Sequence, residues 1–415
     1  MGRRPWHRHR FPSLALAISA AIVVITSSVF GAGPASALAL HLDPPMRALV
    51  PAANGAAGLV WQEMATTSRS QFPGCSAAAY DDAARAPICV GQTPANNYTS
   101  VWEYTGVNWT NVTPAGVRPA GRGLGPLVTD GENEMELFPV IGLNGTVETW
   151  GFSAKGWVEL PTIGTPPPLL DPAMAYDPID GYAVLFGGDF GDCSEGPLFC
   201  HAENWTWTFF GDNWTNLSRS AGPAPSPREG ASFVADPLER HLVLFGGSPN
   251  GSTGTNDTWT FSLGAWHSLT FSGQSAPPPR ASECAGFDTS LESTVVANGW
   301  DLGVPRYDTW LLNASGWMRD TSAGTLDGTC SGYTTLFDVR DNYLLSLVNS
   351  PNSPEGLLNE TWVLAPATPA PSTGVPWATI AIIAIPLAGA VAFFLAVAYF
   401  RRQRPSTPRE PPSHT

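Results

Sequence analysis

The stretch NDTWTFSLGAWHSL, residues 256–269, carries two tryptophans seven residues apart, Trp259 and Trp266, with Gly264 just before the second. The same spacing returns in YDTWLLNASGWMRD (residues 307–320) and in NWTWTFFGDNWTNL (residues 204–217). Aligned on the first tryptophan, Trp102, Trp150, Trp207, Trp259, Trp310 and Trp362 follow one another at 48, 57, 52, 51 and 52 residues. Five of these six have a partner seven residues on: Trp109, Trp157, Trp214, Trp266 and Trp317. A glycine (Gly106, Gly156, Gly211, Gly264 or Gly316) comes one to three residues before each partner. An aromatic pair around a glycine-bearing turn reads as a β-hairpin, and a centred two-residue turn predicts that the two indoles face each other.

The upstream half of each unit repeats as well. FVADPLERHLVLFGG (residues 233–247) resembles MAYDPIDGYAVLFGG (174–188), each with an aspartate ten residues before a glycine: Asp236 and Gly246, Asp177 and Gly187. AAYDDAARAPICVGQ (78–92) keeps that offset between Asp81 and Gly91. Apolar alternation on both sides of a turn reads as a second hairpin. Each unit is therefore four short antiparallel strands, a to d in chain order. A period near fifty residues with four strands predicts the blades of a β-propeller. The composition agrees, since 13% charged residues with 42 Gly and 40 Pro suit short strands and many turns better than helices.

The chain resembles the kelch-repeat β-propellers, which carry a diglycine after strand b and an aromatic–six residues–tryptophan spacing. LFGG at 185–188 and at 244–247 matches the diglycine, whereas VGQ, VIG, ANG and LVN stand at the corresponding places of the other repeats. Tryptophan replaces the usual tyrosine of the aromatic pair. The last repeat ends at NETWVL without a second tryptophan, and LVWQEM (59–64) supplies the missing pattern, Trp61 lying 48 residues before Trp109. The expected fold is all-β: a six-bladed kelch-like β-propeller over residues 59–365, with an N-terminal strand completing the last blade and leaving no open edge. The resemblance extends to the central domain of galactose oxidase, whose copper needs tyrosine and histidine ligands converging on the axis. Outside the two termini this chain has only His41, His201, His241 and His267, at unlike positions of the repeat, so no metal site and no catalytic residue is expected.

The two ends read differently. MGRRPWHRHR is cationic, the next eighteen or so residues are apolar, and PASALA offers small residues at a cleavage site. Residues 1–39 thus read as a secretory signal peptide, and 40–58 as a lead-in. Residues 366–376 form a Pro-rich stalk, and 377–400 are uncharged and long enough for one transmembrane helix. Arg401, Arg402 and Arg404 place the 401–415 tail in the cytoplasm and the propeller outside the cell membrane. Between Leu42 and Trp377 there are 13 Lys plus Arg against 34 Asp plus Glu, a charge that repels nucleic acid. An even number of exported cysteines without a C-x2-C pair reads as disulfides: Cys193 with Cys200, Cys75 with Cys89, and by elimination Cys284 with Cys330.

Several residues are candidates for binding. Arg122, Arg228 and Arg280 each lie eight residues before the aspartate of their unit. In that register an arginine either lines the channel mouth and binds carboxylates or ties neighbouring blades together. The longest strand b to c connection, DFGDCSEGPLFCHAE (189–203), offers Asp189, Phe190, Asp192, Glu195 and Phe199 as a recognition patch. Asp189, Asp192 and Glu195 are also the oxygen donors for which a Ca²⁺ ion is conceivable, though without EF-hand spacing. The polar residues before the tryptophans, Asn256, Asp257, Asp308 and Asn359, recur in register and read as strand-end hydrogen-bonders. Eleven N-x-[ST] sequons occur, among them Asn97, Asn108, Asn111, Asn144, Asn213, Asn216, Asn250 and Asn313, which are glycosylation candidates in an exported protein. The function expected is an extracellular, membrane-anchored recognition or scaffold module for a protein or glycan partner. The alternative is a propeller enzyme, hydrolase or oxidase, using acidic residues at the channel mouth.

Overall fold

The structure is a computed structural model that describes residues 58–367, apart from 65, 67–73, 93–97, 124, 132, 192–199, 272–275, 331–332 and 350–357. The expected signal peptide, apolar span and tail lie outside the described residues, as does the expected stalk beyond Ala367. Among those described, no helix is long and apolar enough to cross a membrane.

Six antiparallel sheets follow one four-strand plan, a–b–c–d in spatial order. Their first strands are Ala77–Asp81, Val128–Asp130, Ala173–Asp177, Ser232–Asp236, Cys284–Asp288 and Thr335–Asp338, which define sheets 1 to 6. In sheet 2 the segment Gly121–Gly123 also pairs with strand b. Each first strand touches the first strand of the next sheet, and that of sheet 6 touches that of sheet 1. Sheet 6 takes its outer strand from the other end of the chain: Leu59–Met64 pairs antiparallel along Leu358–Pro366, with Trp61 opposite Leu364. The result is a β-propeller-like all-β fold.

The aspartate of each repeat ends strand a and is buried in all six sheets. It caps the a–b turn: Asp236 Oδ1 accepts the N–H of Leu238 and of Glu239, both at 3.0 Å, and Asp81, Asp177, Asp288 and Asp338 do the same in their sheets. Asp130 reaches Asn133 instead. Such side-chain to backbone bonds are why a short acid recurs here.

The tryptophans do two different jobs. In five sheets the strand c indole donates to the side chain two residues before it: Trp259 to Asp257 (2.7 Å), Trp310 to Asp308 (2.7 Å), Trp150 to Glu148 (3.0 Å), Trp362 to Glu360 (3.3 Å) and Trp102 to Ser100 (3.2 Å), whereas Trp207 Nε1 in sheet 3 is buried without a partner. The strand d indole crosses to the preceding sheet and donates to the threonine before its strand c tryptophan. Trp214 binds Thr149, Trp266 binds Thr206, Trp317 binds Thr258, Trp109 binds Thr361 and Trp61 binds Thr309, all at 2.9–3.0 Å. Trp157 is the exception, because Val101 occupies the threonine position in sheet 1, and its Nε1 is buried without a partner.

The expected face-to-face indole pairing does not occur. In sheet 4, Trp266 lies opposite Phe261, and Trp259 lies opposite Ser268. The turn falls one residue later than a centred one, at Leu263–Gly264 between Ser262 and Ala265, which shifts the register by two and keeps both indoles on one side. The ring opposite is therefore the residue two places after the first tryptophan, as with Phe261 and Trp266 at 5.0 Å and Phe209 and Trp214 at 5.1 Å.

The diglycines are joints between sheets. Gly187 and Gly188 have φ of 70° and 90°, and the Gly188 N–H donates to Arg228 O at 2.9 Å. Gly247 repeats this bond with Arg280 O at 2.9 Å. A Cβ on Gly187 would collide with Arg228 O, so side chains are excluded by both conformation and contact.

Among the described residues two disulfides are formed. Cys75–Cys89 spans the first hairpin, with Cα atoms 5.7 Å apart. Cys284–Cys330 links the first strand of sheet 5 to the segment leading into sheet 6, with Cα atoms 5.3 Å apart. Cys193 lies outside the described residues, and with it the expected third bridge to Cys200.

Candidate functional site

The six first strands surround a cavity of 360 Å³. Each sheet contributes an apolar residue such as Ala79, Val128, Met174, Phe233, Phe287 or Phe337, and Thr129, Tyr176, Tyr333 and Thr335 add hydroxyl-bearing side chains to the wall. At the end where the first strands begin, polar groups from different sheets converge. The hub is Tyr333, just before the first strand of sheet 6, which lines the cavity and whose hydroxyl is buried without a hydrogen-bond partner. Burial pushes this phenol well above its ordinary range; Asp171, Glu229 and Glu283 push the same way, and Arg122 opposes them. Those four residues stand before the first strands of sheets 3, 4, 5 and 2. A group that feels charges from four other sheets sits where the sheets meet.

Two of these acids, Asp171 and Glu229, interact with a further one, Asp189. The Glu229 carboxyl hydrogen-bonds to Asp189, and both interact with Asp171. A bond between two carboxyls needs a proton between them. Burial first, and then the neighbouring Asp189 and Asp171, push Glu229 up to about 7, so at neutral pH it can act as the donor. Burial and Asp171 also raise Asp189, with His201 opposing. Burial raises Asp171 against the pull of Arg122. Glu283 is fully buried; its Oε1 accepts the Ser232 N–H at 3.0 Å while Oε2 has no partner, and burial pushes it up to about 7.

Of the residues singled out in the sequence, Asp189 joins this cluster. Phe190 packs its ring against Trp205 (5.4 Å) and edge-on to His201 (6.3 Å). The connection that bears them is more ordered at its ends than a plain loop: Asp189–Gly191 pairs with Cys200–Ala202 and with Leu169–Leu170. Asp192, Glu195 and Phe199 lie outside the described residues. Arg122 is exposed and belongs to the mouth through its attraction to Asp171.

Arg228 and Arg280 are placed differently. Arg228 is 1% exposed and grips Asp257 with two bonds of 2.6 and 2.8 Å, while also donating to Gly246 O and Thr255 Oγ1. Arg280, fully buried, donates to Asp308 Oδ1 (2.9 Å) and Asn298 O (2.8 Å). Burial pushes the Asp257 carboxyl up, and the guanidinium outweighs it, leaving it below the ordinary carboxylate range. Side chain to its own sheet and backbone to the preceding one, each arginine is a tie between sheets, with no donor turned to a ligand at the mouth.

Glu229, Asp171, Glu283 and Tyr333 were not singled out in the sequence. Their signal is departure from the repeat: counted back from the conserved-register aspartate, Glu229 stands where other units have Gly123, Leu170 or Ala281. Asp171 likewise replaces Leu124, Gly230 or Ser282.

Among the described residues, no three His, Cys, Asp or Glu side chains are grouped to hold a metal ion. Of the sequons, Asn111, Asn144, Asn213, Asn216 and Asn250 are exposed, Asn108 and Asn313 are half-buried, and Asn97 lies outside the described residues.

No protein-family model matches the chain, and no curated protein matches it. Among solved structures the chain is similar to one described as "Structure of YjhT", at 15% identity, covering 71% of this chain and 94% of that one, with a TM-score of 0.48.

Proposed function

We propose that this protein is a cell-surface recognition module. In this reading the six sheets are the blades of a closed kelch-type propeller, held outside the membrane by one C-terminal span. The propeller engages an extracellular protein or glycan through the mouth of its axial cavity and the adjoining 189–203 connection. The observation that supports it is a cavity among the six first strands that Tyr333 lines with a buried, unpartnered hydroxyl, within electrostatic reach of Asp171 and Glu229 from other sheets. Non-repeating polar groups gathered at the axis of a repeating scaffold are what a binding site requires and what the fold does not. The two disulfides fit an oxidising compartment.

The test is to probe glycan and peptide arrays with the purified chain and with a variant in which residues 192–199 become a Gly-Ser linker. Binding lost with near-UV circular dichroism unchanged is the expected result. Binding of undiminished strength would move the recognition face elsewhere.

A second reading is favoured by one feature, the Glu229 carboxyl that burial and the neighbouring Asp189 and Asp171 push up to about 7. A protonated carboxyl beside an ionised one is the equipment of acid–base hydrolysis. Release of cleaved products from the same arrays, abolished by Glu229→Gln, would select that reading over simple recognition.

A further inference from the structure

The antiparallel order of each sheet sends its a–b and c–d turns to one end and its b–c connection to the other. At the first end the turns of neighbouring sheets meet. The Leu263 N–H, in the c–d turn of sheet 4, donates to Asp180 Oδ2, in the a–b turn of sheet 3, at 2.9 Å. A Cβ on Gly106, in the c–d turn of sheet 1, would lie 3.5 Å from Asp341 Oδ2, in the a–b turn of sheet 6. These turns make up one face, and it carries exposed apolar side chains where turns are ordinarily polar. Ile179, Leu238 and Val339 stand on a–b turns, Val107, Phe210 and Leu263 on c–d turns, and Leu263 is 84% and Phe210 63% exposed. The turns do not require them. The buried aspartate and the backbone supply the a–b turn bonds, and Ala83 and Ser290 occupy in sheets 1 and 5 the place of Ile179 and Leu238. Apolar groups gathered on one face without a packing role mark a contact surface.

What covers this face follows from where the chain leaves it. Strand c of sheet 6, Leu358–Pro366, runs toward the turn face, and the Ala367 N–H donates to Gly58 O at 2.6 Å, so the body is entered and left at the same place. Nine residues separate Ala367 from Trp377, where the uncharged stretch to Phe400 begins. Fully extended, that tether reaches about 35 Å at most. Setting the opposite face on the bilayer would first use about 17 Å of it running back along a five-residue strand. We propose that the turn face rests on the outer surface of the bilayer, with its six apolar tips entering the headgroup region of zwitterionic lipid. Acids outnumber bases on the described turns, so the contact is apolar and gains nothing from anionic headgroups. The cavity mouth beside Tyr333 and the 189–203 connection then face away from the membrane, open to a partner. This rests on the reading of a C-terminal membrane span and adds to it the orientation of the body.

The test places the full-length chain in phosphatidylcholine nanodiscs and attaches an environment-sensitive nitrobenzoxadiazole label to Leu238→Cys on the turn face. Leu143→Cys, on the exposed b–c turn of sheet 2, is the control on the opposite face. The unsubstituted chain, treated alike, sets the background from native cysteines. With doxyl-labelled lipid in the disc, the Leu238 label should lose much of its emission and shift to the blue, and the Leu143 label should do neither. Adding Phe210→Glu and Leu263→Glu, which places two charges at the interface, should restore emission at Leu238. Replacing part of the lipid by phosphatidylserine should not deepen the quenching. Near-UV circular dichroism checks each fold, and Val339→Cys takes the label should Leu238→Cys not fold. Equal quenching at the two sites, quenching at Leu143 alone, or quenching at Leu238 unmoved by the two glutamates would overturn the proposal. A chain retained in the disc with an unquenched Leu238 label removes the docking and leaves the anchor standing. A chain recovered free of discs removes the anchor, and the docking with it.

Discussion

Trp61 is where the two ends of the propeller-like body are joined, and its replacement measures that joint. The indole is 5% exposed, packs with Leu59, Leu326, Leu344 and Leu364, and donates from Nε1 to Thr309 Oγ1 at 3.0 Å. Trp61→Ala removes a buried large aromatic, at a cost of about 3–5 kcal/mol. That is a large part of the roughly 5–15 kcal/mol by which a domain is stable. Trp61→Phe and Thr309→Val separate the hydrogen bond from the packing. Each leaves one polar group without its partner, and a double-mutant cycle should return about 0.5–1.5 kcal/mol of coupling. The molecule contains its own control. Trp157 has the same place in sheet 2 but no acceptor, because Val101 replaces the threonine, so Trp157→Phe should cost less than Trp61→Phe. Equilibrium urea unfolding, followed by tryptophan fluorescence and far-UV circular dichroism, reads all five variants. An unchanged midpoint for Trp61→Ala, or Trp157→Phe as costly as Trp61→Phe, would refute the joint and the latch respectively.

Arg228→Met strands the Asp257 carboxylate and should destabilise by about 3–5 kcal/mol; Arg228→Lys should not restore stability, because an ammonium cannot make the paired bonds, and urea midpoints decide. Glu283 holds its proton more tightly in the fold, at about 7 against an ordinary 4.5. Its stabilising contribution is therefore complete below about pH 4.5 and is lost as pH rises through 7, amounting to about 3 kcal/mol. Glu283→Gln should flatten stability between about pH 5 and 8, and parallel profiles for the two proteins would count against this. Protease added to intact cells should remove the propeller and spare a membrane-protected C-terminal fragment starting near Val375; a protected fragment that retains the propeller would reverse the assigned orientation.

Much of the architecture was legible in the residues. Repeat length, strand count and the exchange of Leu59–Met64 into the last sheet follow from spacing and alternation, which are local and recur. So do Cys75–Cys89 and the buried aspartates, each serving a turn within its own repeat. The indole pairing was misread because a one-residue shift of the turn, invisible in a seven-residue spacing, moves the partner by two. Arg228 and Arg280 share a register with Arg122, yet only the first two have an aspartate before strand c to grip. The threonine that receives each strand d indole belongs to the preceding repeat, so it shows only when sheets are seen side by side. The mouth was the least legible part of all. Asp171 and Asp189 flank the first hairpin of one repeat, Glu229 and Tyr333 come from two others, and they share no sequence pattern. What unites them is the curvature that brings six strand beginnings around one axis, where burial and mutual repulsion, both sums over neighbours distant in the chain, set their protonation.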